Sequence, residues 1–381
     1  MDRDPDSPPL PLELFLLVID AVGEDPDDSV ADIYKTLRAC ALTCSAWLAR
    51  ARMQLYAYVF LERRDHYTRF ARTIYASTEL AQLVQEMRCD LHGQTNPELG
   101  WAWHIAMLNH GKIETPLPNY VVARLTNLTK LSFEADARVP VPVPLVCFMR
   151  SFGICEKLAS LTLHSCLFIT FDLLAGTVWS FPHVKILKIT QNAWYESQIP
   201  PPDEALYPGR CENVTKFQLF LPVRVDPLLE LMGPTVSHLS LWSMRYDEEP
   251  ETYQAVSRYT ALNRLTLTFE NSETSWLLLV LENVRARNLE GLWIDYISRD
   301  QSKDDVVALF HDIRLDDILS RPPFRHLSEL TIVVHSTAAD EDGAWLKCLE
   351  AQFPQCVERG ILEASIEEWK EEFWPNWLRY D

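Results

Sequence analysis

The residues most able to do chemistry are Cys40 and Cys44, four apart with Trp47 three further on, a spacing that invites a thiolate metal centre or a redox pair. A tetrahedral metal site needs four ligands. No histidine lies near these cysteines, and no second cysteine pair has a zinc-like spacing, so the ligands would have to come from far away. Small, polarizable thiols on an apolar face more commonly fill a core. The ten histidines are dispersed, and the stretch HGK at 110–112 lacks the upstream glycine and the Ser or Thr of a phosphate-cradling loop. G-x-S-x-G, H-E-x-x-H and G-x-G-x-x-G do not occur in the sequence. Paired acids such as Asp304 with Asp305, or Asp340 with Asp342, suit helix caps and solvated loops. The expectation is a non-enzymatic chain with no cofactor and no metal.

Charge narrows the partners. With 54 acidic and 35 basic residues the formal net charge is −19, which argues against a nucleic-acid binder working by phosphate neutralisation. The balance is uneven: residues 1–32 hold ten acids and one base, whereas eight bases against Glu62 and Asp65 lie between Lys35 and Arg72. Such a basic flank suits an acidic protein partner. Nine scattered cysteines do not form a disulfide framework and fit a reducing cytoplasm or nucleus. The longest apolar runs, such as WLLLVL at 276–281, are far too short to cross a bilayer, so no membrane partner is expected.

Something must position the rest of the chain, and a short pattern, apolar-x-x-apolar-x-apolar, recurs to supply it. Its copies are LTKLSF, LASLTL, VKILKI, VTKFQL, VSHLSL, LNRLTL, LEGLWI and LSELTI, with middle apolar residues Leu131, Leu161, Leu187, Phe217, Leu239, Leu265, Leu292 and Leu330. A weaker copy, VQEMRC, precedes them around Met87. Each copy ends in the period-two alternation of a short strand with one buried face, and helical segments lie between them. A strand and a helix every 22 to 38 residues indicate an irregular leucine-rich-repeat solenoid of α/β class, with parallel strands on the concave face and helices outside. The Asn or Cys that usually follows the last strand leucine is mostly absent, although Cys166 follows LTLHS.

Ahead of the repeats, LPLELFLLVIDAV carries an apolar stripe at helical spacing, and Leu37, Cys40, Cys44 and Trp47 share one face if they lie on one helix. The combination of LP-x-EL with L-x-x-C-x-L-x-C-x-x-W resembles the F-box motif, the helical module by which F-box proteins dock on a Skp-family adaptor. The acidic insert GEDPDDSVADIY and Thr43 depart from that pattern. The resemblance covers about residues 9–55 and, with the Arg-rich sequel, looks fungal in type. It implies adaptor-binding roles shared among Leu10, Pro11, Leu14, Phe15, Val18, Ile19, Leu37, Cys40, Leu42, Cys44 and Trp47.

The domain division expected is a disordered N-terminus (1–8), the F-box-like helical module (9–55), a linker and N-terminal cap with a degenerate first repeat (56–120), the solenoid (121–340) and a C-terminal helical cap (341–381). If the patterned residues point inward, those between and beyond them face the concave surface. Most are small or polar; Phe220, Trp242 and Trp293 are not, and are the expected substrate anchors. The tail, with Trp369, Trp374 and Trp377, is an equal candidate to cover them. The resemblance implies the substrate receptor of a Skp-cullin-F-box ubiquitin ligase, bound through the adaptor to a cullin and holding a protein substrate. The alternative is a repeat scaffold with no role in ubiquitin transfer.

Overall fold

The computed structural model describes residues 12–24, 30–91, 117–136, 138–194, 211–221, 226–243, 253–270, 275–298, 302–336 and 343–368. Residues 1–8, Leu10, Pro11, Asp340, Asp342 and the tail tryptophans lie outside them.

The chain begins with three helices, α1 (Leu12–Glu24), α2 (Val30–Thr43) and α3 (Ser45–Ala57). It continues through β1 (Tyr58–Leu61), α4 (Arg64–Ala76), α5 (Thr78–Leu83) and β2 (Glu86–Asp90). The patterned copies follow as β3 (Lys130–Glu134) and β4 (Ser160–His164), then β6 (Ile186–Thr190), β8 (Lys216–Leu221) and β9 (His238–Ser243). The last are β10 (Arg264–Glu270), β11 (Gly291–Ser298) and β12 (Glu329–Ser336), and β13 (Leu362–Glu368) follows without a copy of the pattern. These eleven strands form one sheet in chain order, every neighbouring pair parallel. Two short strands, β5 (Leu167–Phe168) and β7 (Ala193–Trp194), pair separately. A parallel sheet whose strands add one after another is the one-dimensional stacking of a solenoid.

Register turns the sequence pattern into rows. The middle apolar residues lie side by side from Met87 through Leu131, Leu161, Leu187, Phe217, Leu239, Leu265, Leu292 and Leu330 to Leu362. From Met87 to Leu330 all are buried, because period-two alternation turns them to the side where the intervening helices pack. Asn192 closes one turn of the row: wholly buried, it accepts from Cys166 N (2.5 Å) and donates to Leu163 O (3.1 Å). Ser165 and Gln191, just ahead of Cys166 and Asn192, both take left-handed backbone (φ 53° and 55°), which turns the next side chain inward.

The sheet outruns the expected domain limits in both directions. Its first strand starts at Tyr58, inside the expected linker, and the weak VQEMRC copy forms β2 in full register. The expected C-terminal helical cap holds two short helices, Ala344–Glu350 and Pro354–Glu358, but then becomes β13. Leu362, Ala364 and Ile366 alternate with Glu363, Ser365 and Glu367. Pairing with β12 overrides the helix preference of Ala and Glu there.

The helical module also differs from expectation. Leu37, Cys40, Cys44 and Trp47 do not share one helix, because the chain breaks at Cys44, whose backbone is extended (φ −159°, ψ 163°). Its carbonyl starts α3 by accepting from Trp47 N and Leu48 N, both at 3.2 Å, while the Thr43 hydroxyl bonds back to Ala39 O (2.9 Å) and ends α2. The extended backbone at Cys44, whose side chain makes no capping hydrogen bond, therefore interrupts the helical apolar spacing.

Candidate interaction surfaces

The three N-terminal helices enclose a small core of their own, Ile19 from α1, Leu37 from α2 and Ala51 from α3. Cys40 and Trp47 pack against it, partly buried, as do Val22 and Leu55. An ion pair locks α1 to α3: Arg50 donates from Nε to Asp20 Oδ1 and from Nη2 to Oδ2, both 2.5 Å, and Gln54 Nε2 adds 2.8 Å. The guanidinium hydrogen bonds hold the Asp20 carboxyl below its ordinary pKa, against the opposing effect of burial.

The face of α1 turned away from this core is apolar. Leu14 (46 %), Leu17 (62 %) and Val18 (58 %) are exposed, and helical geometry sets them on one stripe with Ala21. At the end of α2, Leu42 is 87 % exposed. The structure thus divides the expected adaptor-binding residues. Leu14, Val18 and Leu42 face outward; Ile19 and Leu37 are core; Cys44 is exposed at the helix joint; Leu10 and Pro11 lie outside the described residues, as does the side chain of Phe15. Sequence reasoning missed Leu17 and the Asp20–Arg50 pair, although the arginine's separation by 30 residues leaves no local signal for the latter.

On the open face of the sheet, the three expected aromatic anchors do not form one surface. Phe220 and Trp242 are direct neighbours across β8 and β9, with ring centroids 3.9 Å apart and planes at 75°. They are buried and cluster with Ile297 of β11. Their burial makes these two interior packing and not exposed anchors. Trp293 belongs to a different row, paired with Thr266 and Thr331, and stays 39 % exposed. The Arg264 guanidinium stands 5.8 Å from its ring centroid and its Nη2 lies 3.9 Å from Glu329 Oε2. Gly291, between Arg264 and Glu329 in the register, contributes no side chain, which leaves a shallow depression walled by the indole.

The remaining open-face groups are largely mutually satisfied. Arg88 donates to Glu134, and His164 Nδ1 meets Thr190 Oγ1 at 2.7 Å. Asp295, largely buried, has its pKa raised by desolvation, partly offset by the charge of His335 and the Thr268 hydroxyl. Burial pushes the thiols of Cys89 and Cys356 up to about 12 and that of Cys155 to about 11. Such thiols stay protonated at neutral pH and act as small apolar groups. Among the described residues, no helix is long and apolar enough to cross a membrane.

No family model and no curated protein matches the chain. Among solved structures it is similar to a structural-genomics target from Bacteroides fragilis, at 11 % identity and a TM-score of 0.36 over 64 % of this chain, spanning just under two thirds (66 %) of that one. It is also similar to an internalin from Listeria monocytogenes, at 11 % identity and a TM-score of 0.26 over 90 % of this chain and 96 % of the other.

Proposed function

We propose that the chain is the substrate receptor of a Skp-cullin-F-box ubiquitin ligase. In this reading α1–α3 dock on the Skp-family adaptor, which carries the cullin, and the solenoid holds a protein substrate. The observation that carries it is the apolar stripe of Leu14, Leu17 and Val18, exposed on a module that already has its own core. An exposed stripe of that kind needs a partner surface. The motif spacing over residues 9–55 supports the identity of that partner. The chain performs no bond chemistry; a rigid sheet raises the effective concentration of substrate lysines near the ubiquitin carrier. On the substrate side Trp293 and Arg264 are the available contacts.

The test is co-purification of the full-length chain with a Skp-family adaptor. Leu14→Asp with Val18→Asp abolishes adaptor binding by about a hundredfold or more, since each places a charge in a desolvated contact. Failure of the unaltered chain to bind any such adaptor overturns the reading. A second reading, an interaction scaffold outside ubiquitin transfer, is favoured by the solenoid itself, whose repeated polar face suits protein contact with or without an adaptor.

A further inference from the structure

The two ends of the eleven-stranded sheet differ. At β1 the edge is sealed: the Tyr34 phenol of α2 donates to Tyr58 O (2.6 Å) and accepts from Phe60 N (3.3 Å). Burial pushes that phenol up to about 12, so it keeps its proton and can donate. At the other end β13 pairs with β12 over seven residues, from Leu330 with Leu362 to Ser336 with Glu368. Among the described residues nothing pairs with its outer edge. The bond from Leu330 N to Ile361 O (2.8 Å) fixes the alternation, so the N–H and C=O of Leu362, Ala364 and Ile366 point outward.

The side chains at this edge are equally unfinished. Leu362, Ala364 and Ile366 continue the rows of Leu330, Ile332 and Val334, which are 0 % exposed, yet they themselves are only partly buried. On the opposite face Glu363 and Glu367 are exposed. The strand contains no proline, glycine or lysine to discourage pairing.

We propose that the outer edge of β13 docks an extended segment of a protein partner as a twelfth strand. That segment carries apolar residues at alternate positions, covering Leu362, Ala364 and Ile366, and Lys or Arg between them, opposite Glu363 and Glu367. Strand addition of this kind takes affinity from main-chain hydrogen bonds and specificity from alternate side chains. Opposite charges directly across a ladder stabilise it and like charges destabilise it, so Glu363 and Glu367 favour a strand that carries cations between its apolar residues. A second copy, which brings its own glutamates, is the competing occupant that the test separates. The proposal deepens the substrate-holding part of the function above, but its test does not involve the adaptor, so either can fail while the other stands.

The experiment uses the full-length chain, a nine-residue synthetic peptide alternating lysine and valine, and a control alternating glutamate and valine. Backbone amide exchange is followed at Leu362, Ala364 and Ile366. In the free protein these amides exchange faster than those of β12; the lysine peptide slows them and the glutamate peptide does not. Ala364→Pro removes an outward N–H without touching the β12 ladder and abolishes the protection. Glu363→Lys with Glu367→Lys weakens lysine-peptide binding by about tenfold. Three outcomes overturn the proposal. One is strong protection already present in dilute free protein, which means the chain's own residues cover the edge. Another is protection that grows with protein concentration alone, which means a second copy does. The third is peptide binding indifferent to both variants.

Discussion

Asn192 shows how much one polar side chain can organise in an apolar row. Its amide satisfies the N–H of Cys166 and the carbonyl of Leu163, both inside the core. Asn192→Leu keeps the volume close but orphans the Cys166 N–H, while Leu163 O keeps the Thr190 hydroxyl; a buried orphan costs about 1–3 kcal/mol. The variant lowers stability in urea denaturation by about 2 kcal/mol. Its signal was present in the sequence: VKILKITQN places it at the position Cys166 holds in the preceding copy. Asp20 makes a different residue-scale prediction. Its carboxyl titrates below the unfolded value, so its stabilisation is fully present above pH about 4 and is lost as pH falls through the depressed folded value. Arg50 remains partly solvated, which holds the effect to about 1 kcal/mol. Asp20→Asn speeds amide exchange in α1 at pH 7, and the difference from the unaltered chain disappears under strongly acidic conditions.

At the scale of elements, the joint between α2 and β1 rests on Tyr34. Tyr34→Phe leaves Tyr58 O and Phe60 N without their partner where water reaches them poorly, costing about 1–3 kcal/mol. In hydrogen exchange the loss appears first in β1, because a terminal strand of a stacked array opens locally. The repeated strands were legible in sequence because period-two alternation is a local signal, and eight copies place Leu131 through Leu330 in one row as expected. What stayed hidden depends on partners distant in sequence. The break at Cys44 is a local turn to extended backbone that apolar spacing does not signal, and β13 exists because β12 pairs with Leu362–Glu368 despite helix-forming residues. Phe220 and Trp242 look exposed when strands are read singly. The alignment of the copies already sets Trp293 one row from Phe220 and Trp242; what it does not show is that these two are buried with Ile297 while Trp293 stays open.

For the whole molecule, the exposed apolar stripe of α1 and the outer edge of β13 lie at opposite ends of one stacked array. Leu14 and Val18 are exposed, so the double variant Leu14→Asp with Val18→Asp leaves the urea transition within about 0.5 kcal/mol of the unaltered chain. The sealed edge at β1 has a consequence for assembly. A sheet of parallel strands with both edges open is a head-to-tail monomer: β13 of one copy meets β1 of the next in the parallel sense already used throughout, and such a contact does not close but grows into a fibre. The Tyr34 hydroxyl occupies Tyr58 O and Phe60 N, so a β13 strand from a second copy meets a C=O and an N–H at β1 that are already bonded, and head-to-tail growth is disfavoured at that end.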